Sequence, residues 1–376
     1  MRGAAIFLVF AYHGMVTAYW PVYGDAELKW VGWFRDFHAP PSLLAFFPLT
    51  LGWMGVSIFF VVSGFCIHLS HERSQKKGWK VFFLRRFFRI YPPYLAALLF
   101  FALAYPWTRL HFTSHQLHIH SERVYSLVQL GVHLLLTHNF SAISLKGINP
   151  AFWSIAVEVQ LYLLYPLLHW IFKIKSLRQA LWITGAIEIG FRTVEAFLIF
   201  LYPDIHIPTW FAYEPFMFWF SWTMGAVLAE AYLRGRPLPF RHPLFVWPLV
   251  MLACYNVKPL ASFCFTLTAL GTASLMSFFL TRRNPPSPGR FGFISRHFHF
   301  AGTVSYSAYL IHMPLLYAVP DAVGCLFPGH HLHAPLLLAC CLAAWMPVLV
   351  LSYAMYRWVE LPSIAWGKRV IRLAAA

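Results

Sequence analysis

An arginine and a histidine, Arg2 and His13, stand eleven positions apart in a stretch that is otherwise apolar. Eleven helical steps of about 100° return nearly to the same face and climb about 16 Å. One stripe then carries a fixed cation at its start and, deep along it, a group that takes up a proton at physiological pH. A neutral imidazole so placed can act as a general base on a hydroxyl. Taken alone, each residue reads as a snorkelling arginine or a packing histidine. Their shared stripe is what points to function.

Three further groups put ionisable or hydroxyl side chains where apolar ones are expected. In Trp153-Ser154-x-x-x-Glu158-x-x-x-Tyr162 the spacing i, i+4, i+8 sets Ser154, Glu158 and Tyr162 on one face. A carboxylate among apolar residues is costly and marks function or a buried pair. In Ser305-Tyr306-x-x-Tyr309-x-x-His312, positions 305, 309 and 312 share a stripe with Tyr306 beside it. Hydroxyl-mediated helix packing and a lined cavity explain it equally well. Glu188, Arg192 and Glu195, spaced i, i+4, i+7, read as an internal salt-bridge ladder.

Two basic or histidine-rich stretches complete the inventory. Arg85, Arg86 and Arg89 lie in a run that reads as a loop at the inner membrane surface, able to contact anionic lipid or to hold the phosphates of a nucleotide-like donor. His111, His115, His118 and His120 have no nearby cysteine or acid before Glu122, so a solvated loop is expected there and no metal site.

The elements that must position these groups follow from composition. Of 376 residues, 59% are hydrophobic and 11% charged, with mean hydropathy +0.60. A soluble domain carries about 25% charged residues, so water is not the main solvent of this chain. The 16 Trp and 18 Tyr suit interfacial anchoring. A net charge of +16 could signal nucleic acid, but the cations sit in short runs between apolar stretches, the pattern of loops on the positive side of a membrane. The six cysteines form no C-x-x-C pair, which argues against a disulfide framework. No cleavable leader is expected after Met1.

About ten stretches are long enough to span at roughly 20 apolar residues each: 3–20, 50–70, 91–107, 152–172, 179–201, 212–233, 243–257, 259–280, 299–319 and 334–356. Arg and Lys crowd the even-numbered exits, so both termini are expected in the cytoplasm and the protein in the inner (plasma) membrane. Residues 124–138 are too short to cross and read as a re-entrant or surface helix. The fold class is therefore all-α, a polytopic membrane protein forming one transmembrane domain over 1–376, with no appended soluble domain.

In order along the chain, these segments resemble the acyltransferase-3 family of membrane O-acyltransferases. The opening Arg2-Gly3…His13 is similar to its R-x10-H signature. Gly55-Val56-x-x-Phe59-Phe60-x-x-Ser63-Gly64-Phe65, Arg85-Arg86-x-x-Arg89-Ile90-x-Pro92, Trp153-Ser154…Glu158…Tyr162…Pro166, Ser305-Tyr306-x-x-Tyr309-x-x-His312-x-Pro314 and Glu360-x-Pro362 continue the series. The resemblance implies acetyl-CoA or another acyl-CoA as donor substrate, no permanently bound cofactor, and a sugar or glycan hydroxyl as acceptor. Membrane lipids and polysaccharide-assembly proteins are the implied partners, and nucleic acid is not. On that reading His13 is the general base and Glu158 its supporting carboxylate. Arg85, Arg86 and Arg89 hold donor phosphates, with Arg2 at the mouth of the donor path. Tyr306, Tyr309 and His312 line the acceptor side, with Ser63, Ser154 and Tyr162 in the same cavity. No G-x-S-x-G elbow is present, which favours direct transfer, although Ser63 and Ser154 stay open as covalent intermediates. A transporter or flippase would also place charges in the membrane, but it should show two similar halves, and none is seen.

The charge pattern makes a direct prediction. Single cysteines within 108–122 and 321–333 react with an impermeant thiol reagent from outside the cell, and those within 74–80 and 284–290 only from inside. Labelling of 74–80 from outside would invert the topology.

Overall fold

The computed structural model describes residues 1–23, 48–74, 78–111, 127–145, 147–203, 205, 207–255, 257, 259–281, 292–327 and 333–373. Among them the regular structure is helical. In chain order the helices are α1 (Arg2–Tyr23), α2 (Met54–Glu72), α3 (Gly78–His111), α4 (Leu127–Leu134), α5 (Ala142–Leu145), α6 (Trp153–Ile174), α7 (Leu177–Leu201), α8 (Thr209–Ala212) and α9 (Trp219–Leu233). There follow α10 (Val246–Tyr255), α11 (Cys264–Thr281), α12 (Gly292–Thr303), α13 (Ser305–Leu326), α14 (Ala334–Ala343), α15 (Trp345–Met355) and α16 (Leu361–Leu373).

The centre of the bundle is read from burial. α9 is buried on nearly every face from Trp219 to Ala231 and packs against α2, α7 and α11. A helix apolar all round belongs inside other helices or in lipid. Its seam with α2 is set by glycine. A Cβ on Gly64 would lie 2.0 Å from the carbonyl oxygen of Trp222, and one on Gly225 would lie 1.9 Å from that of Val61. Only hydrogen fits at either position, as in close helix crossings of membrane proteins. α1 lies on the other side of α2 and packs also against α12, α13 and α14. Large apolar side chains, among them Leu163, Trp182, Phe200, Val350 and Trp358, stay exposed on the outer faces. Water would penalise such a surface, and hydrocarbon accepts it.

Helices answer each of the ten expected spans, and among the described residues five stretches are both long and apolar enough to cross: Met54–Glu72, Pro150–Ile174, Leu260–Thr281, Ser305–Leu326 and Ala334–Leu373. The other expected segments are shorter or carry charge. α10 has 10 residues, and α7 holds Glu188, Arg192 and Glu195. Two expected spans are also interrupted. The stretch 299–319 divides between α12 and α13 at Val304, and 334–356 divides between α14 and α15 at Ala344. Pro347, in the first turn of α15, has no N–H with which to continue the preceding helix.

Arg85, Arg86 and Arg89 are not in a loop. Gly78, at φ +69°, lets the chain reverse after α2, and α3 starts there, so all three arginines stand on its early turns. Within 124–138 the described residues form α4, eight residues long, ended by Leu136 at φ 55°. The hydroxyls of Tyr94 and Tyr91 donate to the carbonyls of His133 and Leu134 and pin α4 against α3. His115, His118, His120 and residues 124–126 lie outside the described residues. α16 follows a π-helical turn, Tyr356–Glu360, and belongs to a tail that the span pattern left unassigned.

Candidate active site

A cavity of about 780 Å³, counting its open mouth, lies where α1, α2, α3, α6 and α13 meet. α2 contributes Phe60 and Ser63, α6 contributes Ser154, Glu158 and Tyr162, and α13 contributes Ser305, Tyr306 and Tyr309. The cations at its walls are Arg2, Arg86 and Arg89. The i, i+4, i+8 face of α6 and the polar stripe of α13 are thus turned toward one space.

Their registration comes from Asn149. Its side-chain oxygen accepts from the amide of Ala151 at 3.0 Å, opening the short 3-10 turn Pro150–Phe152 that leads into α6. Its side-chain nitrogen donates to the carbonyl of Leu310 in α13 at 2.9 Å. Ser154, one turn further into α6, then meets the hydroxyl of Tyr309 at 2.6 Å. Deeper on the same face, one oxygen of Glu158 accepts from Ser63 at 2.7 Å and from Tyr162 at 2.5 Å. The Trp222 indole N–H also reaches Ser63, at 3.4 Å. Glu158 is therefore oriented from two helices by hydroxyl donors.

The arginines divide. Arg89 forms an ion pair with Glu360 at 2.5 Å, and Glu360 accepts also from Ser307 at 2.8 Å. Glu360 closes the π-helical turn and is fully buried, so it would be costly without this cation. Arg86 donates to Ser70 at 2.9 Å and lines the cavity. Arg85 donates to Ser74 at 2.6 Å and is absent from the lining. The Tyr306 hydroxyl is committed to the carbonyl of Ile90 at 2.8 Å, so that side chain ties α13 to α3 while its ring faces the cavity.

His13 and His312 lie beside the cavity and not in its lining. Nδ1 of His13 is 2.8 Å from Nε2 of His312, with the rings stacked at 5.0 Å. Nδ1 of His312 is 2.8 Å from the carbonyl oxygen of Tyr309. A carbonyl only accepts, so His312 carries its proton on Nδ1 and, when neutral, presents a lone pair at Nε2. His13 must then donate from Nδ1, which leaves its Nε2 as the basic nitrogen. The expected pairing of His13 with Glu158 is not the arrangement found. His13 is oriented by His312, and Glu158 by Ser63 and Tyr162.

The remaining charged group, in α7, is structural. Arg192 lies 3.6 Å from Glu195 and donates to the carbonyl of Met217, while Glu188 takes Ser221 and Thr266 as donors rather than completing the ladder. Sequence reasoning did not single out Asn149 or Glu360 as site residues. Each had a signal, an Asn-Pro helix start and an acid within a basic tail.

The chain belongs to the acyltransferase family described as "Acyltransferase domain", whose profile matches residues 1–357. It is 25% identical over 279 residues to ORF330 of Acidianus two-tailed virus, whose name proposes an acetyltransferase, covering 72% of this chain and 76% of that one. It is 28% identical over 161 residues to the O-acetyltransferase OatA of Staphylococcus aureus (strain NCTC 8325 / PS 47), covering 40% of this chain. The aligned part spans 26% of the OatA chain. No solved structure matches. The family and the apolar helices together make this a membrane protein of the acyltransferase class.

The Ser154–Tyr309 contact joins the two polar stripes and can be measured. A double-mutant cycle with Ser154→Ala and Tyr309→Phe should return a coupling of about 0.5–1.5 kcal/mol in detergent unfolding. Additive single effects would mean that the stripes are held together elsewhere.

Proposed function

We propose that the protein transfers an acyl group, acetyl in the first instance, from a cytoplasmic acyl-CoA to a hydroxyl of a sugar or glycan. The observation that carries this reading is the hydrogen-bonded chain from the Tyr309 carbonyl through His312 to His13, set beside a cavity rimmed by Arg2, Arg86 and Arg89. The family and the O-acetyltransferase relatives support the reaction class.

The chemistry balances as a direct transfer. Nε2 of His13 takes the proton of the acceptor hydroxyl as its oxygen attacks the thioester carbonyl. The carbon–sulfur bond then breaks, an ester forms, and the thiolate leaves with the proton returned by the imidazolium. During this step the Nδ1–H of His13 keeps its bond to His312, and no tautomer change is required. A hydroxyl with a pKa far above 7 needs this assistance, and a positioned base supplies about 10²–10⁴-fold.

The cavity serves the donor. Arg2, Arg86 and Arg89 suit its phosphates, as charge-assisted donors do. The rise of about 16 Å from Arg2 to His13 along α1 suits an extended pantetheine arm. Glu158, held by Ser63 and Tyr162, keeps the cavity wall polar and anchors α2 to α6. With both termini on the cytoplasmic side of the inner membrane, the arginine rim faces the acyl-CoA pool and the acceptor reaches His13 from the other side.

Purified protein in detergent or nanodiscs, given acetyl-CoA and a sugar acceptor, should release CoA thiol and form an ester detectable by mass spectrometry. His13→Gln should lower turnover by about 10²–10⁴-fold with donor affinity and thermal stability near the parent. Arg86→Ala should weaken donor binding, with a charge-assisted contact worth about 1.5–3 kcal/mol. A stable His13→Gln protein that transfers acetyl at the parental rate would remove His13 from the mechanism.

A further inference from the structure

A second cluster of ligating side chains lies outside the cavity, where α2 ends and α6 nears its own end. His71 and Glu72 close α2, and His169 stands on α6. One ligand atom from each of the three comes within 4.8 Å of the others. The acyl-transfer reading gives these residues no task. None of them lines the arginine-rimmed cavity.

We infer that His71, Glu72 and His169 form a binding site for a divalent transition cation of the zinc type. The donor set is two imidazole nitrogens and one carboxylate oxygen, a combination that suits zinc and its neighbours in the first row. Zinc bonds of about 2.0–2.2 Å in a tetrahedral sphere place ligand atoms about 3.4 Å apart. Nδ1 of His169 and Oε1 of Glu72 are already 3.5 Å apart, which fits one edge of that sphere. The third ligand atom, from His71, lies within 4.8 Å of the other two.

The surroundings hold the ligands in place. The His71 ring stacks on Trp79 at 4.6 Å, with its other contacts edge-on to Tyr165 and Phe82. The His169 ring meets that of His71 at 4.8 Å and 80°, and packs against Trp79 and Tyr165. Aromatic faces thus clamp the imidazoles while their nitrogen edges converge. The Glu72 and His169 side chains are each about nine-tenths buried. A bound dication would favour this enclosed carboxylate and leave a fourth position for water.

Occupancy would also bear on the catalytic region. Ser70, directly before His71, accepts from Arg86 at 2.9 Å. A cation that joins the end of α2 to α6 would therefore fix the turn that holds one of the cavity's arginines.

The experiment uses the full chain with any affinity tag removed. The purified protein is stripped with chelator, loaded with Zn²⁺ and dialysed, and its metal is counted by mass spectrometry. Co²⁺ is then substituted as an absorbing probe. The expected result is about one zinc per chain, a Co²⁺ ligand-field spectrum, and a Zn²⁺-dependent rise in Tm. His71→Gln and His169→Gln, both of which keep side-chain bulk, should lose all three while remaining monodisperse. Zinc retained equally by both variants, or no retention by the parent above its stripped background, would overturn the assignment and leave a His169–Glu72 ion pair. Neither variant touches the groups placed in acyl transfer. A failure here is thus distinguishable from a failure of that reading.

Discussion

The carbonyl of Tyr309, accepting from Nδ1 of His312, sets the polarity of the groups around it. A backbone carbonyl cannot reverse its role, so it fixes the tautomer of His312 and, through it, that of His13. Tyr309 also presents its hydroxyl to Ser154 on α6. One residue therefore couples the helix that orients His13 to the helix that carries Glu158. Asn149 keeps this junction in register by spanning from the start of α6 to Leu310, the next residue of α13. In an apolar interior each of these bonds is costly to leave unmade, and this restricts α6 and α13 to a single relative placement.

The rest of the fold serves the same junction. The glycine seam between α2 and α9 brings Trp222 against α2, and its indole reaches Ser63, which in turn holds Glu158. On the other side, Glu360 in the π-helical turn is stabilised by Arg89 and Ser307, tying α3 and α13 to the tail. π-turns inside helices occur often at functional sites, and here the turn delivers a buried carboxylate to the cation on the cavity wall. Glu158 and Arg89 are thus each held by a partner outside their own helix.

Much of this was legible in residue spacing. The α6 face of Ser154, Glu158 and Tyr162 and the α13 stripe of Tyr309 and His312 follow from helical periodicity, and they do share one cavity or its border. Periodicity says which residues share a face, but not which face meets which. Spacing alone therefore does not show that His13 meets His312 while Glu158 meets Ser63 and Tyr162, or that Arg85 stands off the cavity wall. The arginines were also read as a loop because charge density masked a helix that starts at Gly78. Apolar runs located the helices well, and among the described residues five stretches meet both the length and the charge criteria for crossing. Glu360 went unassigned as a site residue because its partner lies 271 residues away in the chain.

In this geometry His13 presents a bare Nε2, because His312 and the Tyr309 carbonyl hold its proton on Nδ1. Selective ¹⁵N-histidine labelling of the protein in bilayers, with resonances assigned by comparison with His13→Gln and His312→Gln, reads the protonation of each ring nitrogen directly. Neutral His13 and His312 should both carry hydrogen on Nδ1 and none on Nε2. A His13 resonance pattern with hydrogen on Nε2 and none on Nδ1 would contradict it.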